Sequence, residues 1–137
     1  MLKNYLSKSP LSNIFGDIEK TLVEHGAKQV SRDYDNGKII AISFIINTKS
    51  GDLKVKLPAR FEQVEKIFIN NGLRYKPDQP YRTAWATLRD WISAQMALLD
   101  LEMVKMEEIF LPYVTDPNGR TFFEFSQERG FKLPAAK

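Results

Sequence analysis

The chain has 137 residues, 43% of them hydrophobic and 27% charged, and no cysteine, which excludes disulfides, thiolate catalysis and every cysteine-based metal site. That length suits one domain burying roughly two-thirds of its unfolded surface without staples, and no apolar run approaches the about 18 residues of a membrane span. The net charge of +3 is uneven: residues 1–27 carry three basic and three acidic groups, residues 28–82 eleven and six, and residues 83–137 six and eight.

Met1-Leu2-Lys3-Asn4-Tyr5-Leu6 is too short and too polar for the apolar region of a signal peptide, so the expectation is a cytoplasmic protein with no membrane partner. Residues 1–11 read as an N-terminal arm. Pro10 marks a helix boundary and Ser12 is the expected N-cap of a helix through His25, with Ile14, Phe15, Ile18 and Leu22 on one face and Gly26 as its left-handed stop.

Three strand-like runs follow, roughly Lys28–Tyr34, Lys38–Asn47 and Leu53–Leu57. In the second run Ile40, Ile42, Phe44 and Ile46 form the more apolar face, and Val30 and Tyr34 share its parity in the first. Opposed residues share a face, so the loop must be odd, and Asp35-Asn36-Gly37 supplies a type I turn closed by a glycine bulge. In the third run Leu53, Val55 and Leu57 alternate with Lys54 and Lys56. A four-residue loop, Thr48-Lys49-Ser50-Gly51, therefore pairs Ile46 with Leu53. The opposite face, with Ser31, Asp33, Ala41, Ser43, Ile45, Lys54 and Lys56, is mixed. Residues 12–58 thus read as a helix plus a three-stranded antiparallel meander.

Residues 59–130 read as helical. A helix from about Arg60 to Asn70 buries Phe61, Val64, Ile67 and Phe68 and stops at Gly72. The longest periodic run, Pro80 to Leu99, holds both tryptophans and places Trp85, Leu88, Ile92, Met96 and Leu99 on one stripe, with Asp78 as its expected cap and Pro80 in its first turn. After a break near Leu101-Glu102, Met103, Met106, Ile109 and Phe110 continue the pattern to Pro112. Thr115–Gly119 is a turn, and Thr121-Phe122-Phe123-Glu124 fits a capping box opening a helix to Arg129, although Phe122–Phe125 also fits a strand. Residues 131–137 form a tail. The fold class is α+β in a single domain, its helical half packed on one sheet face.

The block Arg82-x-Ala84-Trp85-x-x-Leu88-x-Asp90-Trp91-x-x-x-Gln95, followed by Phe110-Leu111-Pro112-Tyr113, resembles a recurrent family of small proteins from phages, prophages and mobile elements. The similarity spans most of the chain, including Gly26-Ala27, Tyr34-Asp35 and Leu57-Pro58-Ala59. The resemblance implies a genomic setting and carries over no catalytic residue. The order helix, three strands, helix is also similar to that of double-stranded RNA-binding domains. Those open their last helix with a lysine cluster, where Pro58-Ala59-Arg60-Phe61-Glu62 has one arginine.

His25, the single histidine, falls at a helix end where a cation suits the dipole, and no nucleophile elbow accompanies it. Asp33 and Asp35 at a hairpin, with Glu107 and Glu108, are the candidate carboxylates for a divalent ion, but acidic residues at hairpins are ordinarily turn formers. No glycine-rich phosphate loop is present. The expectation is therefore no cofactor and no metal.

The stronger lead is basic and aromatic. Tyr75, Tyr81 and Trp85 lie near Arg74, Lys76, Arg82 and Arg89 in sequence, a mixture that stacks bases and contacts phosphates. Three readings follow. A non-catalytic accessory protein binding DNA or RNA with low specificity expects Lys54, Lys56, Arg74, Lys76 and Arg82 on one surface. A protein-binding modulator of a host or phage enzyme, or a homo-oligomeric module, expects an exposed apolar patch carrying Met103, Met106 and Phe110. A small enzyme expects a cleft gathering His25, Asp33, Asp35 or Glu107.

Overall fold

In the computed structural model, which describes residues 2–135, Pro10 itself closes the first turn of α1 (Leu11–Glu24), its carbonyl accepting from Asn13 and Ile14. The helix thus starts one residue before the expected Ser12 cap. A proline preceding the first turn pre-orients the chain without a side-chain acceptor. Ile14, Phe15, Ile18 and Leu22 are buried as the 3.6-residue period requires. Gly26, at φ 95, ends the helix, and the Ala27 N–H reaches back to the Leu22 carbonyl at 3.0 Å.

The sheet is a meander, ordered β1 (Lys28–Asp35), β2 (Lys38–Thr48), β3 (Gly51–Pro58), antiparallel throughout. Ile46 pairs with Leu53, as the alternation of β3 demands, and the pairing runs out to Thr48 and Gly51. The first hairpin differs from expectation. Asp35 pairs directly with Lys38 around a two-residue Asn36-Gly37 turn, with φ 50 and 77, whose backbone twist matches that of the strands. The extra residue sits inside β2 instead: Tyr34 pairs with Ile39 and Asp33 with Ala41, so Ile40 is bulged out. The bulge swaps the alternation, and Ile39 joins Ile42, Phe44 and Ile46 in the core while Ile40 is only half-buried. A second bulge in β1 holds Gln29 at φ 51. Tyr34 lies exposed at the sheet edge, although Val30 packs against the core.

After the sheet, α2 (Phe61–Asn70) buries Phe68 fully and Phe61 and Val64 in part, whereas Ile67 is exposed. A ten-residue amphipathic helix with only α3 beside it has too narrow a contact for a fourth residue. The central helix α3 (Gln79–Asp100) packs against both α1 and α2. Trp85, Ile92 and Met96 are buried and Leu88 and Leu99 pack at the margin of the same cluster. Asp78 is its N-cap residue, the carbonyl accepting from the Arg82 N–H at 3.0 Å, but the carboxylate caps no amide and pairs with the Arg82 guanidinium at 2.8 Å.

The chain then breaks over Leu101–Lys105 into a short α4 (Met106–Phe110), whose first turn is closed by Glu108 accepting from the Lys105 N–H. A single 3₁₀ turn at Leu111–Tyr113 leads to Val114, which bridges Val55, and to Thr115, whose N–H donates to the Lys54 carbonyl at 2.8 Å. The outer edge of β3 is thereby covered at its middle, at Lys54 and Val55. The Thr121–Glu124 capping box forms, and residues 122–128 are the helix α5 (Phe122–Glu128) rather than a strand. The architecture is α+β, and no helix among the described residues is long and apolar enough to cross a membrane.

Candidate nucleic-acid interface

The N-terminal arm returns along α3 and is held there by polar groups. Thr83 Oγ1 donates to the Asn4 carbonyl at 2.9 Å, the Asn4 amide donates to Asp90 Oδ2 at 3.0 Å, and Arg82 Nε donates to the Ser9 carbonyl at 3.1 Å. Tyr5 crosses to the α2–α3 connection, donating its hydroxyl to the Arg74 carbonyl at 2.6 Å. Its ring stands edge-on to Phe68 at 5.1 Å, and Phe68 in turn meets Tyr75 at 5.4 Å. Buried Phe68 is thus the shared footing on which two more accessible tyrosines rest.

Between arm and connection runs an open groove of about 720 Å³, with Lys8, Arg74 and Lys76 around it and Tyr5 and Tyr75 in its wall. These three cations are exposed and make no ion pair among the described residues. Arg82, by contrast, is a strut, largely buried between Asp78 and the arm. Unpaired cations around an aromatic-walled groove attract an anion without first breaking an internal ion pair.

Of the five basic residues singled out in sequence, Arg74, Lys76 and Arg82 come together here. Lys54 and Lys56 do not join them. They pair with Ile45 and Ser43 and alternate with core-facing Leu53, Val55 and Leu57, so they point to the sheet face opposite α1 and α3. Lys56 instead borders a second, smaller groove with Arg60 and Glu124. Lys8 and Tyr5 were not among the sequence candidates. The signal for them lay on α3, where Gln79, Thr83, Thr87 and Asp90 form a polar stripe at helical spacing with Thr83 only 4% exposed, which an arm with backbone groups to satisfy explains.

The aromatic candidates near α3 are structural. Trp85 is 1% exposed and stands edge-on to Phe15 at 5.0 Å, so it does not stack bases. Tyr81 donates its hydroxyl to the Ile39 carbonyl at 2.7 Å, and burial pushes its phenol up. Its bond is what receives the bulged strand.

The apolar patch expected for a protein partner is divided. Phe110 is 0% exposed, locked between Phe44 and Trp91, which corrects its assignment as a partner-binding residue: at the end of α4 it is the knob that joins that turn to β2. Met106 packs against the core as well, and Met103 alone of the three is open, 65% exposed.

The carboxylate and histidine candidates are dispersed. His25 joins the C-terminal ends of α1 and α3, its ring nitrogens 2.7 Å from the Thr21 carbonyl and 2.9 Å from Asp100 Oδ1. Asp33 accepts from the Ser43 hydroxyl at 2.6 Å on the sheet face away from α1 and α3. Asp35 is at the far end of β1 from His25, on the order of 20 Å away at about 3.3 Å per residue. Among the described residues no three His, Asp or Glu side chains gather as a metal-ligand set. Set against protein-family models, curated proteins and solved structures, the chain matches none.

Proposed function

We propose that this chain is a non-catalytic accessory protein, of the phage or mobile-element kind its tryptophan block resembles, that binds nucleic acid with low sequence preference. The observation that carries the reading is the meeting of Lys8, Arg74 and Lys76, none of them paired with a carboxylate among the described residues, around one groove walled by Tyr5 and Tyr75. Phosphates reward such cations by releasing condensed counterions, and tyrosine faces accept unstacked bases of any identity. The groove therefore favours single strands over duplexes, because a base inside a duplex has no free face to offer an aromatic wall.

Fluorescence anisotropy with labelled single- and double-stranded oligonucleotides over a salt series tests it. The expected result is tighter binding of the single strand, with log affinity falling against log salt at a slope of about −2, since each of three phosphate contacts contributes ~0.7. Arg74→Glu with Lys76→Glu should abolish most of it. Lys54→Glu with Lys56→Glu, on the other sheet face, should have the smaller effect. Absence of binding at micromolar protein in low salt would overturn the reading.

A further inference from the structure

We propose that the groove between α5 and the C-terminal tail is a docking site for an acidic, apolar segment of another protein. It is a surface separate from the basic groove, and it stands or falls independently. Phe122, Phe125, Phe131 and Leu133 line about 820 Å³ of space, within the roughly 300–1,000 Å³ of clefts that receive ligands. Much of this lining is open to water, Phe131 being 59% and Leu133 89% exposed. Covering it is the hydrophobic gain available to a partner.

The charge on the rim names the partner's character. Arg129 and Lys132 line the groove, and among the described residues no carboxylate does. The two acidic residues of α5 are committed elsewhere, Glu124 to the Thr121 capping box and Glu128 to Arg120. The Arg129 guanidinium lies over Phe125, 4.7 Å from the ring centroid. A guanidinium stacked in this way keeps its N–H edge available for a two-pronged bond to a carboxylate. The Phe131 part of the apolar wall is also held against α5. Gly130 N–H bonds to the Gln127 carbonyl and Phe131 N–H to that of Ser126, at 3.0 and 2.8 Å, so the tail is tied to α5. Phe131 is held at φ 60, rarely adopted by aromatic residues, with its ring 5.8 Å from Phe123.

Two other occupants fit less well. A second copy meeting this patch around a two-fold axis would set Arg129 and Lys132 against their own counterparts. Nucleic acid would gain little from Leu133 and Pro134, which present no stacking face, and the Phe125 ring is already covered by the guanidinium groups of Arg120 and Arg129.

The test is titration of the full chain with a fluorescein-labelled peptide repeating Glu-Leu-Asp-Phe, read by anisotropy, with amide chemical shifts mapping the contact. The expected result is saturable binding with shifts at Phe122, Ser126, Arg129 and Phe131, weakened ~10-fold or more by Arg129→Glu. Lys132→Glu, in the tail beyond the helix, should weaken it in the same direction without touching the fold. Arg74→Glu with Lys76→Glu should leave it unchanged. Equal binding of the peptide carrying Gln and Asn in place of its acids, shifts that map elsewhere, no binding, displacement by an oligonucleotide, or concentration-dependent shifts of the same residues without peptide would each overturn the proposal.

Discussion

The side-chain amide of Asn4 donates to Asp90 Oδ2 at 3.0 Å, fastening the N-terminal arm to the middle of α3. Burial opposes the charged carboxylate, but the Asn4 amide, Arg89 and Lys3 outweigh it and hold Asp90 below the usual carboxylate range. A carboxyl whose folded value is depressed adds stability above its unfolded pKa of about 3.9, and that stability disappears as pH falls through the lower folded value. Urea unfolding at a series of acidic pH values should therefore show a steeper loss for the native chain than for Asp90→Ala. At neutral pH the same variant should release the arm, seen as faster amide exchange at Tyr5 and Ser7.

Thr83→Val tests the arm from its other attachment. The side chain is close in shape and buried, so the loss is that of the hydroxyl's bonds, the one donated to the Asn4 carbonyl at 2.9 Å and the longer one accepted from the Gln79 amide at 3.3 Å, expected at about 1 kcal/mol or somewhat more. Because Tyr5 and Lys8 form one wall of the basic groove, oligonucleotide affinity should fall with the arm's detachment while α3 remains folded by circular dichroism.

Among the described residues Trp85 is the largest fully buried side chain, and its indole N–H is buried with no hydrogen-bond partner there. Trp85→Ala should cost about 3–5 kcal/mol through the cavity it leaves. Trp85→Phe should cost far less, since it removes an unsatisfied donor together with part of the volume. Chemical denaturation of the two variants checks the ratio; a near-neutral Trp85→Ala would contradict the packing.

Glu102 ends α3 at φ 59, with the Met103 N–H bonded to the Leu98 carbonyl at 3.0 Å. This is the helix-stop geometry that glycine adopts without steric cost. Glu102→Gly is expected to raise stability by about 1 kcal/mol, and Glu102→Val to lower it. Thermal melts of both variants decide the sign.

Much of this fold was legible because its signals are local. The stripe of α1, the stops at Gly26 and Gly72, the capping box at Thr121 and the β2–β3 register all follow from spacing within one or two elements. The position of the bulge was not legible, for a physical reason: Ile39 and Ile40 are identical neighbours, so no contrast in polarity says which one faces inward. Phe110 illustrates the opposite error, because a periodic apolar run beyond a helix break was assigned to a partner although Phe44 and Trp91 were there to receive it. At the candidate site, Arg74 and Lys76 could be named from sequence alone. Their union with Lys8 could not, since polar side chains on α3 bind the arm's backbone, and backbone acceptors carry no residue signature.

The strip at Val114–Thr115 has a consequence for how this chain avoids sticking to itself. It blocks the middle of the β3 border, so among the described residues β1 is the longer open border of the sheet, and a row of unpaired amides is the usual template for recruiting foreign strands. Gln29 interrupts that row with a left-handed bulge, and exposed Lys28 places a charge beside the interruption, whereas Arg32 is turned to α1 and paired with Glu19 at 2.6 Å. An incoming strand therefore meets only a short straight ladder, which discourages backbone pairing along β1.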